Sequence, residues 1–437
     1  MSRILIDARL RRSVDSPAAR TPRVEGQARK MDAARARPAR PRAEVGRLPS
    51  DLERRWLAWI PVGLAILAAV GLMVCGADPG RWARWLPVST VVTGYVLVFL
   101  RSRLRFNRRS EEAPLLTSLG PGTSLTLLRG LLLAPLAGLL FLPRPEGPAA
   151  WTGAILYTAA ILADQFDGYL ARRADHATRL GELFDVELDG LGVLLAVSLA
   201  IHYGALPVIF LAVGLARYAF LVWGASLRRM GRSPRPIPES RTRRSIAGLE
   251  FGFLSGVLWP ITPPELATLA GWIFAVPFFA SFGRDALVLG GFLDPASQGY
   301  LAVRSIVKRM ANQVVPILLR FGFVLLIAPR WWSYAQDLPS RVVALAAQGM
   351  PHAGVVVPLF FALSSLSLAG VAIGFLGRAA ALVTIIAIGL SMVALGSNAQ
   401  DLLACAIAIG VLILGTGPAS VWAPEGRWLE RRGGRRS

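Results

Sequence analysis

The sequence predicts an all-α, polytopic helical membrane protein of about 12 spans, and three observations carry that reading. Apolar residues make up 54% of the 437-residue chain and charged residues only 17%, a balance that a soluble chain of this size does not sustain. The apolar residues gather into runs close to the ~20 residues that a helix needs to cross a bilayer. The basic residues fall mainly in the first 55 positions and in the connections between those runs, where they meet the anionic cytoplasmic leaflet.

The net charge of +21 comes from 48 basic and 27 acidic residues, and 46 of the basic residues are arginine. Their placement between apolar runs makes the excess a topology signal, so no nucleic-acid partner is expected. Cys75 and Cys405 lie inside apolar runs, which excludes a disulfide-stapled secreted fold and a cysteine zinc cluster. His176, His202 and His352 are far apart, without metal-ligand spacing, and are expected in loops. The Arg-rich N-terminus has no sustained apolar run before Trp56, so no cleavable signal peptide is expected.

Residues 1–55 hold 15 basic and 7 acidic residues with few large apolar groups, the composition of a disordered basic cytoplasmic tail. Residues 56–110 supply two accessory spans, Trp56 to Cys75 and Ala83 to Leu100, followed by a basic stretch from Arg101 to Arg109 that should be cytoplasmic. Residues 120–290 supply six more: Leu125 to Leu142, Ala150 to Leu170, Leu183 to Ile201, Leu206 to Trp223, Ser245 to Ile261 and Leu266 to Leu289. Arg284 and Asp285 are expected to end the last of these early. Residues 313–422 supply the final four, near Val314 to Ile327, Val355 to Phe375, Ala379 to Leu395 and Leu402 to Leu414, and 423–437 form a second basic cytoplasmic tail. An even count places both termini on one side. Alternation from a cytoplasmic N-terminus puts the Arg-rich segment Arg228 to Arg244 inside and leaves the outer connections Tyr203 to Ala205, Thr262 to Glu265 and Gly396 to Asp401 without Arg or Lys. Arg81, Arg84, Arg144, Arg330 and Arg341 depart from this pattern.

One stretch breaks the membrane logic around it. Asp164, Asp167, Asp185 and Asp189 lie within or beside apolar helices, where each carboxylate costs roughly 2.5–3.5 kcal/mol at mid-bilayer. Asp164 and Asp167 share a face near the end of one helix, and Asp185 and Asp189 share a face near the start of the next. The short connection makes these helices antiparallel neighbours, so the four carboxylates converge near the cytoplasmic end of a hairpin. Their mutual repulsion is relieved by hard divalent cations, for which Mg²⁺ or Mn²⁺ suits an all-oxygen ligand set. Gly168 and Ala171 on the first helix, and Thr178 and Gly181 before Asp185, leave room for a ligand against the backbone, and Arg172 can pair with a phosphate.

Written out, the pattern is Asp164-x2-Asp167-Gly168-x2-Ala171-Arg172-x8-Gly181-x3-Asp185-x3-Asp189. It resembles the signature of the CDP-alcohol phosphatidyltransferase family at every defined position, and upstream Thr126, Arg129 and Pro135 look like the run that often opens such domains. The resemblance covers about Thr123 to Leu289. It implies a six-helix membrane core that transfers a substituted phosphate from a CDP-linked donor to an alcohol, releasing CMP. Carried over by position, Asp164, Asp167 and Asp185 are metal ligands, and Asp189 is the proton acceptor that also touches a metal. Gly168, Arg172 and Thr178 then hold the CDP part of the donor, with Ala171 and Gly181 lining the same place. A homodimer is the usual state in the resembled family and is carried over as an expectation.

The chemistry follows from the residues as well. Two cations about 3.5–4 Å apart can neutralise a diphosphate and the departing CMP, and a carboxylate such as Asp189 can take the hydroxyl proton. Thr126, Arg129 and Arg217, the last inside an apolar run, are candidates for donor or acceptor phosphate contacts, Arg217 having an aspartate as its alternative partner. The leading donor is CDP-diacylglycerol with a small alcohol acceptor. The alternatives are a CDP-linked small alcohol with diacylglycerol as acceptor, or a non-catalytic interaction or transport protein acting through its last four helices. Those helices, with the turn Gly377-Arg378 and the exit Gly415-Thr416-Gly417-Pro418, are similar to a DoxX-like membrane domain. Arg320 is the one charged residue inside that bundle singled out for testing, with snorkelling or helix pairing as its expected role.

Overall fold

The computed structural model describes residues 50–237, 241–347, 352–395 and 398–422. Among these residues the backbone is almost wholly helical, and its β pairing is one isolated bridge between Phe375 and Trp422. In chain order the helices are α1 (Ser50–Leu57), α2 (Trp59–Cys75), α3 (Pro79–Arg103), α4 (Gly120–Leu139), α5 (Thr152–Arg173), α6 (Arg179–His202), α7 (Leu211–Arg229) and α8 (Arg241–Leu258). They continue as α9 (Pro264–Leu289), α10 (Gln298–Arg309), α11 (Val315–Gln336), α12 (Leu338–Ala347), α13 (Ala353–Ile373), α14 (Gly377–Leu395) and α15 (Ala399–Leu414).

Each of the twelve expected apolar runs overlaps a helix, and among the described residues seven helical segments are long and apolar enough to cross a membrane by length and composition. Helices α5 and α6 have the length but carry the aspartates, while α15 is 16 residues long. Large apolar side chains such as Val91, Leu325 and Leu366 are exposed on outward faces, the arrangement of a surface that meets lipid.

Two boundaries and two additional helices differ from the sequence expectation. Residues 50–55, assigned to the tail by composition, belong to α1, because Leu52 is fully buried and Glu53 pairs with Arg101 at 3.3 Å. The rest of that tail, and the tail at 423–437, lie outside the described residues. Helix α9 does not stop at Arg284 and Asp285: the two side chains pair at 3.0 Å, so the charges are offset locally and the helix runs on to Leu289. Helices α10 and α12 were not anticipated. Both are short, and α10 is amphipathic with Lys308 and Arg309 in its last turn.

Helix α4 is the axis of the first half. Fourteen of its 20 residues are buried, and it packs against α3, α5 and α6. Glycines recur on it every eight residues, at 122, 130 and 138, and each admits a neighbour. A Cβ at Gly122 would lie 2.6 Å from the Ala171 Cβ and 2.8 Å from the Asp167 carbonyl on α5; one at Gly130 would strike Val96 and Leu188; one at Gly138 would strike Trp85 and Ser89. Small residues thus let helix backbones approach closely.

In the last third, α11, α13, α14 and α15 pack on one another, and α15 also packs on α9. Arg320 on α11 is the tie. Its guanidinium donates to the carbonyls of Val371 (3.2 Å) and Ala372 (2.6 Å) at the end of α13, and of Thr416 (3.0 Å) and Ala419 (3.1 Å) beyond α15. Ala372 lies in the last turn of α13, where carbonyls lack helical partners, and a cation there also complements the helix dipole. Arg320 is therefore helix-paired. Replacing it with Met should destabilise this bundle by roughly 2–3 kcal/mol, read as a lower melting temperature of the purified protein; an unchanged melting temperature would contradict the tie.

Candidate active site

The connection at 174–178 joins α5 to α6. Its shortness predicts antiparallel neighbours, but each helix packs on α4 far more than on the other. The segment is held in place from outside. Asp175 adopts a left-handed conformation at φ 49°, and Arg109 Nη2 donates to its carbonyl at 2.7 Å and pairs with its carboxylate at 2.9 Å. Arg179 pairs with Glu111, and His176 Nε2 donates to the Ser118 carbonyl at 3.0 Å. The basic stretch after α3 is thus locked to the α5–α6 turn. The Thr178 hydroxyl caps α6 by accepting from the Gly181 N–H at 3.1 Å, a standard helix start.

The aspartates lie within a few turns of this connection. Carboxylate oxygens of Asp164, Asp185 and Asp189 come within 4.8 Å of one another. Between them sits the guanidinium of Arg129 from α4. Its Nη1 donates to Asp164 Oδ1 at 2.5 Å and to Asp185 Oδ1 at 2.9 Å, and its Nη2 donates to Asp189 Oδ1. Arg129 is 4% exposed, whereas the side chains of Asp185 and Asp189 are 42% and 39% exposed. The acidic side of the cluster therefore opens outward while its counter-charge is buried behind it.

Asp167 stands apart from this trio. Its Oδ2 accepts from the Thr126 hydroxyl at 2.8 Å, one turn before Arg129 on α4, with the Gly122 carbonyl as the hydroxyl's other acceptor at 3.0 Å. Of the four aspartates, the structure groups three around one arginine and places the fourth on a threonine of the same helix. Ala171 packs toward Gly122, so its small size serves helix contact. Arg172 is exposed, and a Cβ at Gly168 would lie 3.1 Å from its Nη1, so the glycine leaves space for that side chain. Arg217 pairs with Glu187 Oε2 at 3.0 Å rather than with an aspartate, and lies in the space left by Gly190. Glu187 also accepts from the Tyr95 hydroxyl at 2.6 Å.

The donor set fits a hard divalent cation. Arg129 engages one oxygen of each carboxylate and offsets one negative charge of the trio; the second oxygen of each remains as a ligand atom. No nitrogen or sulfur ligand competes among the described residues of the cluster.

Residues 122–282 match the family model described as CDP-alcohol phosphatidyltransferase. The likeness to that family is confined to this segment, less than half of the chain. A relative named CDP-diacylglycerol--glycerol-3-phosphate 3-phosphatidyltransferase, from Salmonella choleraesuis (strain SC-B67), is 37% identical over 82 residues, which are 18% of this chain. The match spans 44% of that relative's length, less than half of it. No solved structure matches the chain. The matched segment begins at Gly122, contains Arg129 and all four aspartates, and ends before Asp285, leaving α1 to α3 and everything from α10 onward outside it.

Sequence reasoning missed three residues near this centre. Glu187 lies two positions from Asp185 and two from Asp189 and holds Arg217. Glu250 on α8 is 3% exposed and Tyr157 on α5 is 1% exposed, and among the described residues neither Glu250 Oε2 nor the Tyr157 hydroxyl finds a hydrogen-bond partner. The available signal was an acidic residue inside an apolar run, which applies to Glu250 as it does to Asp164.

Arg129→Leu should cost roughly 3–5 kcal/mol, because it strips three carboxylates of a buried partner; Arg129→Lys should recover only part, a point charge being unable to serve three carboxylates as a planar fork does. Melting curves of both variants in chelator-treated protein check this, and wild-type stability in Arg129→Leu would contradict it.

Proposed function

We propose that the protein transfers a phosphatidyl group from CDP-diacylglycerol to a small alcohol, releasing CMP. The observation that carries this reading is the acidic trio around Arg129, in a segment that matches the phosphatidyltransferase family, half open on its carboxylate side. Glycerol 3-phosphate is proposed as the acceptor, by analogy with the name of the Salmonella relative.

Asp164, Asp167 and Asp185, with Asp189, would hold Mg²⁺ or Mn²⁺, proposed as two ions. When bound, the ions supply positive charge against the diphosphate and the departing CMP. The acceptor hydroxyl forms a bond to the phosphorus distal to cytidine as the bond to the CMP oxygen breaks. Asp189 takes the hydroxyl proton. Arg129 orients that carboxylate through Oδ1 and leaves Oδ2 for the proton. Thr126 orients the Asp167 carboxylate through Oδ2 and leaves its Oδ1 as a ligand atom. Arg172, exposed beside Gly168, is placed to pair with a phosphate of the donor.

The site is proposed to face the cytoplasm. Its turn is tied to the basic stretch after α3 through Arg109 and Asp175, and positive-inside loading puts that stretch on the cytoplasmic side. A charged nucleotide then enters from water while the diacylglycerol part stays among lipid tails.

Purified full-length protein with Mg²⁺ should release radiolabelled CMP from CDP-diacylglycerol only when glycerol 3-phosphate is present. Chelation should abolish release, and Mg²⁺ or Mn²⁺ should restore it. Asp189→Asn should lower turnover by about 10²–10⁴-fold with donor binding retained; full turnover in that variant would refute the base assignment.

A further inference from the structure

The C-terminal bundle holds a half-open chamber of about 430 Å³, lined by α11, α12, α13, α14 and Asp401 of α15, that lies wholly beyond the family match. This size is in the range of roughly 300–1,000 Å³ typical of small-molecule sites. Its wall is mostly apolar and built of fixed groups. Trp331 stacks on Phe361 with ring centres 5.4 Å apart and planes at 16°, while its indole N–H donates to Ser365 Oγ at 2.7 Å. Among the polar lining residues, Thr384 and Ser367 satisfy each other at 3.1 Å.

Arg341 is the cation in this wall. Its guanidinium lies 3.8 Å over the Tyr334 ring, and its buried Nε makes no hydrogen bond among the described residues. The residue is also one that departs from positive-inside loading. A buried charged donor without an acceptor is costly, so an anionic group reaching it from the chamber is stabilised. Asp401, at the start of α15, is the carboxylate in the wall and is 5% exposed.

We propose that the chamber binds one acyl chain of an anionic phospholipid, with the lipid phosphate on Arg341. The bilayer is the source: Val355, Leu359 and Leu366 on α13 are exposed beside the chamber, the arrangement of a lipid-facing surface. The chamber shares no residue with the aspartate site, so this binding does not depend on the transferase reading.

The test uses full-length protein in neutral detergent and two probes carrying a diazirine on the same acyl chain, phosphatidylglycerol and diacylglycerol. The phosphatidylglycerol probe should label chamber residues of α11, α13 and α14, and unlabelled phosphatidylglycerol should compete while dioleoylglycerol does not. Arg341→Gln should weaken labelling roughly tenfold, the effect of losing one charge-assisted contact, and Arg341→Lys should keep most of it. Ala387→Phe, which fills the chamber, should remove labelling. Equal labelling by both probes on the wild-type protein would overturn the headgroup assignment, as would unchanged labelling in Arg341→Gln. Crosslinks confined to outward-facing Leu359 and Leu366 would overturn the chamber as the site.

Discussion

The constraint on which the rest of this protein depends is electrostatic. Four carboxylates are carried into helices that are otherwise apolar, and one guanidinium, Arg129, is buried among three of them. A single positive charge cannot balance three negative ones, so the cluster keeps a surplus that only cations or a polar opening can relieve. The geometry provides the opening: the arginine is sealed behind the aspartates, and the aspartates face outward. The same asymmetry that limits the cost of the cluster leaves carboxylate oxygens open toward the outside.

Holding such a cluster requires three helices at close range, and the spacing of small residues on α4 supplies that. Gly122, Gly130 and Gly138 bring α5, α6 and α3 to the axis helix, and the same helix carries Thr126 and Arg129 at one-turn spacing to meet Asp167 and the trio. The turn between α5 and α6 is fastened by Arg109 and by Thr178, so the ends of the two aspartate helices cannot splay freely. Packing, capping and charge thus converge on the same few residues, which is how a costly site stays ordered.

Much of this was legible in the chain. Runs of apolar residues marked where helices form, because a membrane helix needs length and apolarity and little else, and the spacing of the aspartates marked the site. What the sequence did not reveal are the pairings across helices. Arg129 was read as a phosphate contact, yet its first partners are Asp164, Asp185 and Asp189, since which side chains meet across three helices is set by their rotation about their axes and not by spacing along one of them. Arg217 met Glu187 for the same reason. Helix α9 ran past Arg284 and Asp285 because neighbouring opposite charges offset each other, and α1 began earlier than composition implied because one buried leucine and one ion pair held it.

The central claim, that the aspartates at the α5–α6 turn exist to hold divalent ions, is tested most directly by counting tightly bound Mn²⁺ per chain with electron paramagnetic resonance in full-length protein. The account predicts bound Mn²⁺ in the wild-type protein and its loss in Asp185→Asn, with helix content unchanged by circular dichroism. Undiminished binding in Asp185→Asn, or no bound Mn²⁺ in the folded wild-type protein, would contradict it.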